Sequence, residues 1–421
     1  MHLKFHGAAQ EVGRSCISLD DSYLLDSGIK ITPQGNEYPQ IDIDLRTIKA
    51  VFLTHAHLDH SGALPLFNSK GLNCPIYCTH MTKLLAKLLL EDSLKIEYLT
   101  EKIAGYEKNN IRNVLINMEI NKYDKWSYFK GGKYMLLYSG HIPGSSSILI
   151  EYKGKKILYT GDISLTETYL LKPLTYHKSI KNIDVVIIES TYGGENHPTR
   201  KQTEKEFLDC VQEILDKGGK VIVPCFAVGR SQEILLLLHQ RNFKVPIYID
   251  GMAKKVCNIL LKKPDFINNP NQFKSVLNKI KFVAEKSRKR ILRDQGIFVT
   301  TSGMLDGGPV LEYIKHCYAD ETCGILLTGY QSDESNGRLL LDSDKIDIDG
   351  ERYKFNGIVK HFDFSGHAGH DELIEFIESI SPKNVILQHG DVESLEELKK
   401  SLSKLTANVY VPKVGDTVKI E

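Results

Sequence analysis

The sequence lacks the features that mark membrane and secreted proteins. No apolar run approaches the roughly 20 residues that a membrane-spanning helix needs. The first residues, Met1-His2-Leu3-Lys4-Phe5, hold no charged segment followed by an apolar stretch, so no signal peptide is predicted. These absences indicate a soluble protein of the cytoplasm.

Cysteine is sparse and follows no metal-binding pattern. The chain has eight cysteines, and no two of them form a C-x-x-C pair, so a zinc-ribbon site is not expected. A chain of this length can build its core without disulfides. We therefore predict that the cysteines are mostly buried free thiols in a reducing compartment.

An excess of charge of either sign is also missing. Lys and Arg number 54 against 53 for Asp and Glu, which leaves a formal net charge of +1. A polyanion-binding protein of this composition would need its basic residues gathered on one face. The run Lys286-Ser287-Arg288-Lys289-Arg290 has two open interpretations, a solvated surface or a contact with phosphate.

The sequence does contain a regular alternation of strand-like and helical segments. At 421 residues it exceeds the roughly 250–300 residues at which single cores stop growing, which predicts two domains. Apolar residues recur at helical spacing from Met81 to Ile96 and from Thr203 to Leu215. Apolar runs typical of strands covered on both faces are 50–53, 147–150, 156–159, 185–188, 221–223, 245–248, 297–299, 325–327 and 385–387. The predicted fold class is therefore α/β.

The most informative segment, Thr54-His55-Ala56-His57-Leu58-Asp59-His60, directly follows a predicted strand. Imidazole and carboxylate are standard zinc ligands, and this segment holds four of them within six residues. His55 and His57 point the same way in extended backbone, and a turn after them would let Asp59 and His60 face a second metal. Such a cluster would be costly to bury without metal. The alternative interpretation is a polar surface loop.

H-x-H-x-D-H after a strand resembles the signature of the metallo-β-lactamase superfamily, whose other positions follow in order. Asp26 in Leu-Leu-Asp-Ser-Gly matches the aspartate of the first motif. His141 in Ser-Gly-His-Ile-Pro-Gly-Ser matches the histidine of the third motif, and Asp162 in Tyr-Thr-Gly-Asp matches the aspartate of the fourth. Each match alone is weak, because such loops and turns are common. Their shared order makes coincidence improbable.

Three later segments resemble motifs A, B and C of the β-CASP nucleases. They are Ile188-Glu189-Ser190-Thr191-Tyr192-Gly193, Phe364-Ser365-Gly366-His367-Ala368 and Leu387-Gln388-His389-Gly390. Phe226-Ala227-Val228-Gly229-Arg230 and Thr301-Ser302-Gly303-Met304 with Gly307-Gly308 are similar to two further hallmarks of the family. The resemblance covers essentially the whole chain. It implies a metallo-β-lactamase αββα sandwich formed by residues 1–192 and 359–421, with an inserted α/β β-CASP domain at 193–358.

The resemblance also implies a substrate. A histidine at motif C, here His389, is typical of RNA enzymes in this family. The chain resembles the endonuclease subunit of the cleavage and polyadenylation specificity factor, its short archaeal members most, and RNase J proteins next. The implied activity is zinc-dependent hydrolysis of single-stranded RNA in RNA processing or decay. Endonucleolytic cleavage, 5′→3′ exonucleolytic cleavage and a homodimer are all compatible with it.

The resemblance assigns two zinc ions per chain. His55, His57 and His141 would hold one zinc, Asp162 would bridge, and Asp59, His60 and His389 would hold the second. Asp26 would orient a ligand histidine without touching metal. Two adjacent metal ions can activate water and neutralise charge on a phosphoryl group.

Asp59, His367 and Glu189 are the predicted catalytic residues. His367 would protonate the leaving 3′-oxygen, with Glu189 orienting it or tuning its pKa, although a histidine there can equally anchor a phosphate. Arg230, Ser302 and Ser365 are candidates for contacts with RNA phosphates. The alternative for these three is a structural role in turns.

Two other functions stay open at the level of sequence. One is a hydrolase of small molecules, such as thioesters or lactams, from the same superfamily; the β-CASP-like motifs count against it. The other is a non-catalytic RNA-binding subunit, which is disfavoured because every expected metal ligand is present.

Overall fold

The computed structural model describes residues 1–32, 34–100, 105–405 and 408–420. The chain divides into two compact units. The first unit comprises Met1–Thr166, Pro173–Asn196 and Gly366–Glu421, and the second comprises Glu167–Lys172 and His197–Ser365. Within the described ranges, no helix has both the length and the apolar character needed to cross a membrane.

The first unit begins with strands and helices in the N-terminal 189 residues. Its strands here are β1 (His2–Gly7), β2 (Cys16–Leu19), β3 (Tyr23–Leu25), β4 (Lys30–Thr32), β5 (Gly35–Glu37), β6 (Ala50–Phe52), β7 (Ile76–Cys78), β8 (Met118–Ile120), β9 (Trp126–Phe129), β10 (Gly132–Tyr138), β11 (Ser146–Tyr152), β12 (Lys155–Tyr159) and β13 (Val185–Glu189). Its helices here are α1 (Leu58–Ser61), α2 (Leu64–Ser69), α3 (His80–Leu99) and α4 (Lys108–Asn117).

The second unit follows, and the chain then returns to the first. The strands of the second unit are β14 (Val221–Pro224), β15 (Ile247–Ile249), β16 (Lys281–Phe282), β17 (Ile297–Thr300), β18 (Gly324–Leu327), β19 (Lys345–Ile348), β20 (Glu351–Lys354) and β21 (Ile358–His361). Its helices are α5 (Arg200–Asp216), α6 (Arg230–Leu238), α7 (Ala253–Lys262), α8 (Pro270–Leu277), α9 (Arg288–Ile291), α10 (Pro309–Cys317) and α11 (Asn336–Ser343). The returning segment forms α12 (His370–Ile380), β22 (Asn384–Gln388), α13 (Val392–Leu402), β23 (Val409–Tyr410) and β24 (Thr417–Lys419).

Two seven-stranded sheets form the body of the first unit. Their strand orders are β24-β1-β2-β3-β6-β7-β8 and β23-β22-β13-β12-β11-β10-β9. Side chains alternate between the two faces of a strand. Ile148 and Ile150 of β11 therefore join Phe52 of the facing sheet in one apolar core, while Leu149 lies on the opposite face with Leu373 and other residues of α12 and α13. This face-to-face packing with helices outside is an α/β sandwich.

The second unit is built on a parallel six-stranded sheet in the order β16-β15-β17-β14-β18-β21. Its central strands are fully buried apolar runs, such as Ile297–Thr300. Parallel sheets are covered on both faces by their connecting helices, which explains these runs. The unit has an apolar core of its own, including Phe298, Tyr313 and Ile325.

The elements predicted from the sequence are present, with shifted ends. The helical stretches from Met81 and from Thr203 lie within α3 and α5. β15 begins at Ile247 and not at Val245, because Pro246 has no N–H to donate within a sheet. All eight cysteines are buried free thiols, which confirms that prediction.

Candidate metal centre

Several candidate residues come directly after the carboxyl ends of strands in the first unit. Asp26 follows β3, Asp162 lies soon after β12, Glu189 ends β13, and His389 follows β22. β12, β13 and β22 run parallel, so their carboxyl ends meet at one edge of the sheet. Polar residues that leave parallel strands at one edge are brought together even when they lie far apart in sequence.

The H-x-H-x-D-H segment enters the same region from β6. Asp59 and His60 lie in the short helix α1, which turns the chain after His55 and His57. Gly28 lets the loop after β3 approach this turn, because a Cβ there would lie only 1.6 Å from the carbonyl oxygen of Asp59. Any larger residue at position 28 would push the turn out of place.

Four donor atoms form a first compact group. His57 Nδ1 lies 3.2 Å from His55 Nε2 and 3.2 Å from His141 Nε2. Asp162 Oδ2 lies 3.4 Å from His55 Nε2 and 3.5 Å from His141 Nε2. Three ring nitrogens and one carboxylate oxygen thus surround a common point, and these four residues form a group able to hold a metal ion.

The other oxygen of Asp162 belongs to a second group. Asp162 Oδ1 lies 3.3 Å from His60 Nε2. Asp59 Oδ2 lies 3.4 Å from His389 Nε2 and 3.9 Å from His60 Nε2. One carboxylate therefore faces both groups, as a bridging ligand would.

Four of the donor atoms are deeply buried, whereas the side chain of Asp59 is 32% exposed. Among the described residues, His60 Nε2, His389 Nε2 and both carboxylate oxygens of Asp162 are buried without a hydrogen bond. Buried polar atoms are nearly always paired, because an unpaired one loses its hydration without compensation. A divalent metal ion satisfies all of them, so the residues fit a metal and the site is a metal-binding cluster.

Burial shapes the protonation of the histidines. It lowers the pKa of His55 and His141 well below the ordinary value, and it lowers the pKa of His57 as well. Neutral imidazoles keep the lone pair that a metal needs. Burial would also lower the pKa of His60, but Asp162 and Asp59 with Asp26 raise that pKa well above its ordinary value. A metal ion at this position would replace the proton.

The carboxylates stay ionised despite their burial. Burial raises the pKa of Asp162, but the positive charges of His60 and His389 outweigh burial and lower it well below the ordinary value. The pKa of Asp59 is lowered against burial by the same two histidines. Both side chains therefore present negative charge to a cation.

Asp26 is the hub of a hydrogen-bond network behind His60. Its Oδ2 accepts hydrogen bonds from His60 Nδ1 at 2.7 Å, from the Tyr159 hydroxyl at 2.7 Å and from the Thr54 hydroxyl at 2.8 Å. Its Oδ1 accepts the backbone N–H of Thr54 at 2.8 Å. Asp26 is fully buried and fixes His60 with Nε2 directed at the cluster.

His367 and Glu189 form a pair beside Asp162. His367 Nδ1 donates to Glu189 Oε2 at 2.8 Å, and Glu189 Oε1 accepts the backbone N–H of Ile163 at 2.7 Å. Burial lowers the pKa of His367, but the charge and hydrogen bond of Glu189, together with the charges of Asp162 and Asp59, raise it to about 9. His367 therefore holds a proton at neutral pH, and the His367 side chain keeps 20% of its surface exposed.

The remaining predicted residues, Arg230, Ser302 and Ser365, belong to the second unit. The Arg230 guanidinium donates to the carbonyl oxygen of Thr328. The Ser365 N–H donates to Asp363 Oδ1 at 2.9 Å. The Ser302 hydroxyl is buried and makes no hydrogen bond with any described residue. Their contacts with RNA phosphate stay predictions.

Sequence reasoning missed the groups that hold the ring nitrogens in place. Thr54 Oγ1 lies 3.0 Å from His55 Nδ1, and Thr191 Oγ1 lies 3.2 Å from His389 Nδ1. His141 Nδ1 donates to the carbonyl oxygen of Gly366 at 2.8 Å. The only sequence signal for Thr54 was its place before His55, and a backbone carbonyl gives no signal.

Three protein-family models match the chain. The Metallo-beta-lactamase superfamily model matches residues 18–225, and the Beta-Casp domain model matches residues 231–340. A model described as the Zn-dependent metallo-hydrolase RNA specificity domain matches residues 352–412. Together they cover most of the chain.

Several proteins are similar to this chain over most of its length. A protein of Methanocaldococcus jannaschii named as a probable RNase is 41% identical, and the match covers 100% of both chains. RNase aCSPSF2 of Saccharolobus solfataricus is 35% identical over 99% of this chain and 85% of that protein. The cleavage and polyadenylation specificity factor subunit 3 of Dictyostelium discoideum is 30% identical over 99% of this chain and 57% of its own.

A solved structure supports the fold alone. A protein of unknown function from Enterococcus faecalis superposes with a TM-score of 0.62, at 15% identity and over 99% of both chains. Identity this low carries no argument about activity.

Proposed function

Because the chain belongs to the Beta-Casp family of metallo-beta-lactamase-fold proteins, we propose that it is a ribonuclease that uses two zinc ions. The family confirms the resemblance, the fold and the activity inferred from the sequence: the chain is a nuclease of RNA processing that requires a divalent metal. The identity of the metal as zinc and the number of ions are our proposal.

The distances between ligand atoms of the first donor group are the observation that supports zinc as the metal. Zinc binds imidazole nitrogen and carboxylate oxygen at about 2.0–2.2 Å with tetrahedral geometry, which places neighbouring ligand atoms about 3.3–3.5 Å apart. The ring nitrogens of His55 and His141 each lie 3.2 Å from His57 Nδ1, and they lie 3.4 and 3.5 Å from Asp162 Oδ2. Three imidazoles also favour zinc over magnesium, which prefers oxygen ligands.

The second donor group supports a second ion. Asp59, His60 and His389 direct atoms toward Asp162 Oδ1, the oxygen not used by the first group. Its wider spacing of 3.3 to 3.9 Å leaves room for a ligand from outside the chain. We propose that a phosphate oxygen of RNA takes that position.

When bound, the zinc ions supply Lewis-acid chemistry, which lowers the pKa of water and offsets charge on phosphoryl oxygens. The protein residues position the ligands and the reacting groups. Asp26 positions His60 through the 2.7 Å hydrogen bond to its Nδ1. Asp59, whose side chain is 32% exposed, lies on the accessible side of the cluster.

His367 is proposed to donate the proton that the leaving 3′-oxygen needs. Its Nδ1 is held by Glu189, so the other ring nitrogen, Nε2, is the one that can donate. Glu189, with the charges of Asp162 and Asp59, raises the pKa of His367 to about 9 and so keeps the ring charged at neutral pH. A charged imidazole can also bind phosphate, and the pH dependence described below separates the two roles.

Single-stranded RNA is the proposed form of the substrate. His55, His60, Asp162 and His389 are at most 2% exposed, so the metal-binding atoms lie below the surface of the first unit. A flexible strand can bring a phosphate to a recessed site more easily than a stiff duplex can. We propose endonucleolytic cleavage, and a 5′→3′ exonuclease mode if Ser302 and Ser365 bind a terminal phosphate.

The broader setting is also a proposal. We propose the domain limits predicted from the sequence, with the inserted domain at 193–358 between parts 1–192 and 359–421. We further propose action in the cytoplasm and a homodimeric state. Size-exclusion chromatography with light scattering tests the dimer directly.

Cleavage of labelled RNA with and without a chelator tests the proposed function. Two single strands, one with a 5′-monophosphate and one with a 5′-hydroxyl, should both yield internal fragments, and the chelator should abolish them. A long duplex should resist cleavage. Asp59→Asn should lower the rate by more than about 100-fold, whereas Asp124→Asn, an exposed carboxylate outside the cluster, should not.

The outcomes separate the alternatives. Loss of nucleotides from the 5′ end only when the phosphate is present would show an exonuclease in place of the proposed endonuclease. No cleavage of either strand, together with turnover of small thioesters, would overturn the proposal in favour of a small-molecule hydrolase.

A further inference from the structure

The basic residues of the chain are concentrated in one segment of the second unit. Residues 254–293, here called the basic segment, contain 12 of the 54 Lys and Arg of the chain but only two of its 53 Asp and Glu. The segment thus carries a formal charge of +10, and the rest of the chain carries −9. The overall charge of +1 conceals this separation.

The basic segment occupies one edge of the second unit's sheet. It runs from β15 through α7 and α8 to β16, and then through α9 toward β17. β16 is the edge strand and pairs with β15 alone. The elements that carry these charges therefore lie next to the β16 edge of the sheet in chain order and pairing.

Two basic residues of the segment form ion pairs within the protein, whereas most of the others are exposed to solvent. Lys254 and Arg288 bind the buried Asp250, at 2.9 and 2.6 Å, and Arg288 also contacts Glu312 at 3.2 Å. Nine other basic residues are exposed and have no carboxylate within 4.0 Å among the described residues. These nine are Lys255, Lys262, Lys274, Lys279, Lys281, Lys286, Lys289, Arg290 and Arg293.

Two of the exposed charges share one face of α7. Lys255 and Lys262 are seven residues apart on α7, which places them on one side of the helix. The opposite side of α7 buries Val256, Cys257 and Leu260 in the unit. The lysines therefore cannot turn inward, and seven residues is two helical turns, about 10 Å.

An exposed aromatic ring accompanies the charges. Phe282 of the edge strand β16 keeps 42% of its surface exposed, directly after Lys281. Consecutive side chains of a strand point to opposite faces, so the Phe282 ring lies on the face of β16 opposite Lys281. An exposed aromatic ring at the edge strand offers a surface on which a nucleobase can stack, while phosphates pair with the ammonium groups of the segment. An acidic polypeptide would form ion pairs with the lysines but would have no base to stack on the Phe282 ring.

We propose that the basic segment is an RNA-binding surface of the second unit, which holds single-stranded RNA through its phosphates with Phe282 as a stacking platform. The inference rests on the proposed function for its choice of polyanion. The surface adds affinity that the metal centre does not supply, because an otherwise acidic chain repels RNA.

Salt-dependent binding of RNA by the full-length, metal-loaded chain tests the surface. The probe is a fluorescent phosphorothioate oligouridylate, which resists cleavage. The test variant replaces Lys286, Lys289, Arg290 and Arg293 by Gln. The control variant replaces Lys87, Lys95, Lys122 and Lys130, four exposed lysines of the first unit, by Gln and changes the net charge equally.

The test variant should bind about tenfold to several hundredfold more weakly at 0.1 M salt, and its slope of log K against log salt should fall by about 2–3. The control variant should bind nearly as the unaltered chain does. Equal loss in both variants, or none in the test variant, would overturn the inference. Loss of binding to polyglutamate with RNA binding intact would overturn it in favour of an acidic protein partner.

Cleavage of unmodified RNA in parallel keeps the two proposals apart. If the unaltered chain does not cleave RNA, the proposed function fails whatever the probe shows. If it cleaves and the test variant binds like the control, only the RNA-binding surface fails.

Discussion

At the scale of single residues, the metal centre depends on which ring nitrogen of each histidine holds a proton. Asp26 and the carbonyl oxygen of Gly366 accept from Nδ1 of His60 and His141. The Nε2 atom of each ring is then left for the cluster. His57 is reversed, since its Nδ1 faces its neighbours. These hydrogen bonds direct the remaining ring nitrogens at the cluster, where a metal ion would replace the second proton of His60.

The pH dependence of cleavage tests the role of His367. Because Glu189, with the charges of Asp162 and Asp59, raises the pKa of His367 to about 9, the protonated ring is present below that pH and is lost as pH rises through it. The single-turnover rate should therefore fall above about pH 9. Glu189→Gln removes the charge but leaves the burial, so the fall should move to lower pH. Glu393→Gln, at an exposed position of α13, is the control, and an unmoved fall in Glu189→Gln would refute a general-acid role.

The sequence predicted the candidate metal ligands better than the residues that hold those ligands in place. His55, His57, Asp59 and His60 fall within six residues, so their spacing alone indicates a metal site. The contact of Tyr159 with Asp26 joins residues 133 positions apart. No local pattern encodes such a contact, because it exists only once two sheets have packed together.

At the scale of elements, adjacent parallel strands assemble the centre. β13 and β22 pair in register with Glu189 opposite Gln388, which makes Glu189 and His389 neighbours. The larger part of the second unit, His197–Ser365, separates these strands in the sequence. The apolar runs of β13 and β22 predicted two buried strands, but the pairing of one with the other depends on the sheet order. That order required the structure or the family resemblance.

Two arginines of α9 should differ in how much they contribute to the free energy of unfolding. Arg288→Ala breaks the contacts with Asp250 and Glu312 and leaves Asp250, 1% exposed, with fewer partners. We expect the free energy of unfolding to fall by about 2–3 kcal/mol, less than for a fully isolated buried charge because Lys254 still binds Asp250. Arg290→Ala, at an exposed position without an ion pair, should change it by less than about 0.5 kcal/mol. Urea denaturation measures both, and equal values would contradict the assigned burial.

At the scale of the whole molecule, the candidate metal ligands and the basic segment lie in different units of the chain. All the candidate metal ligands belong to the first unit, and the basic segment belongs to the second. The near-equal totals of acidic and basic residues gave no sign of a polyanion partner. The proposed RNA-binding surface rests on the position of the charges along the chain and next to one sheet edge.

Titration of the metal-stripped chain with zinc tests the central claim most directly. The measured quantity is the rate of cleavage of a 5′-hydroxyl single-stranded RNA at each ratio of zinc to chain. The proposed two-zinc centre predicts negligible cleavage without zinc and a plateau at two equivalents. Undiminished cleavage by the stripped chain, or no cleavage at any ratio despite bound zinc, would contradict the claim that this cluster drives the hydrolysis of RNA.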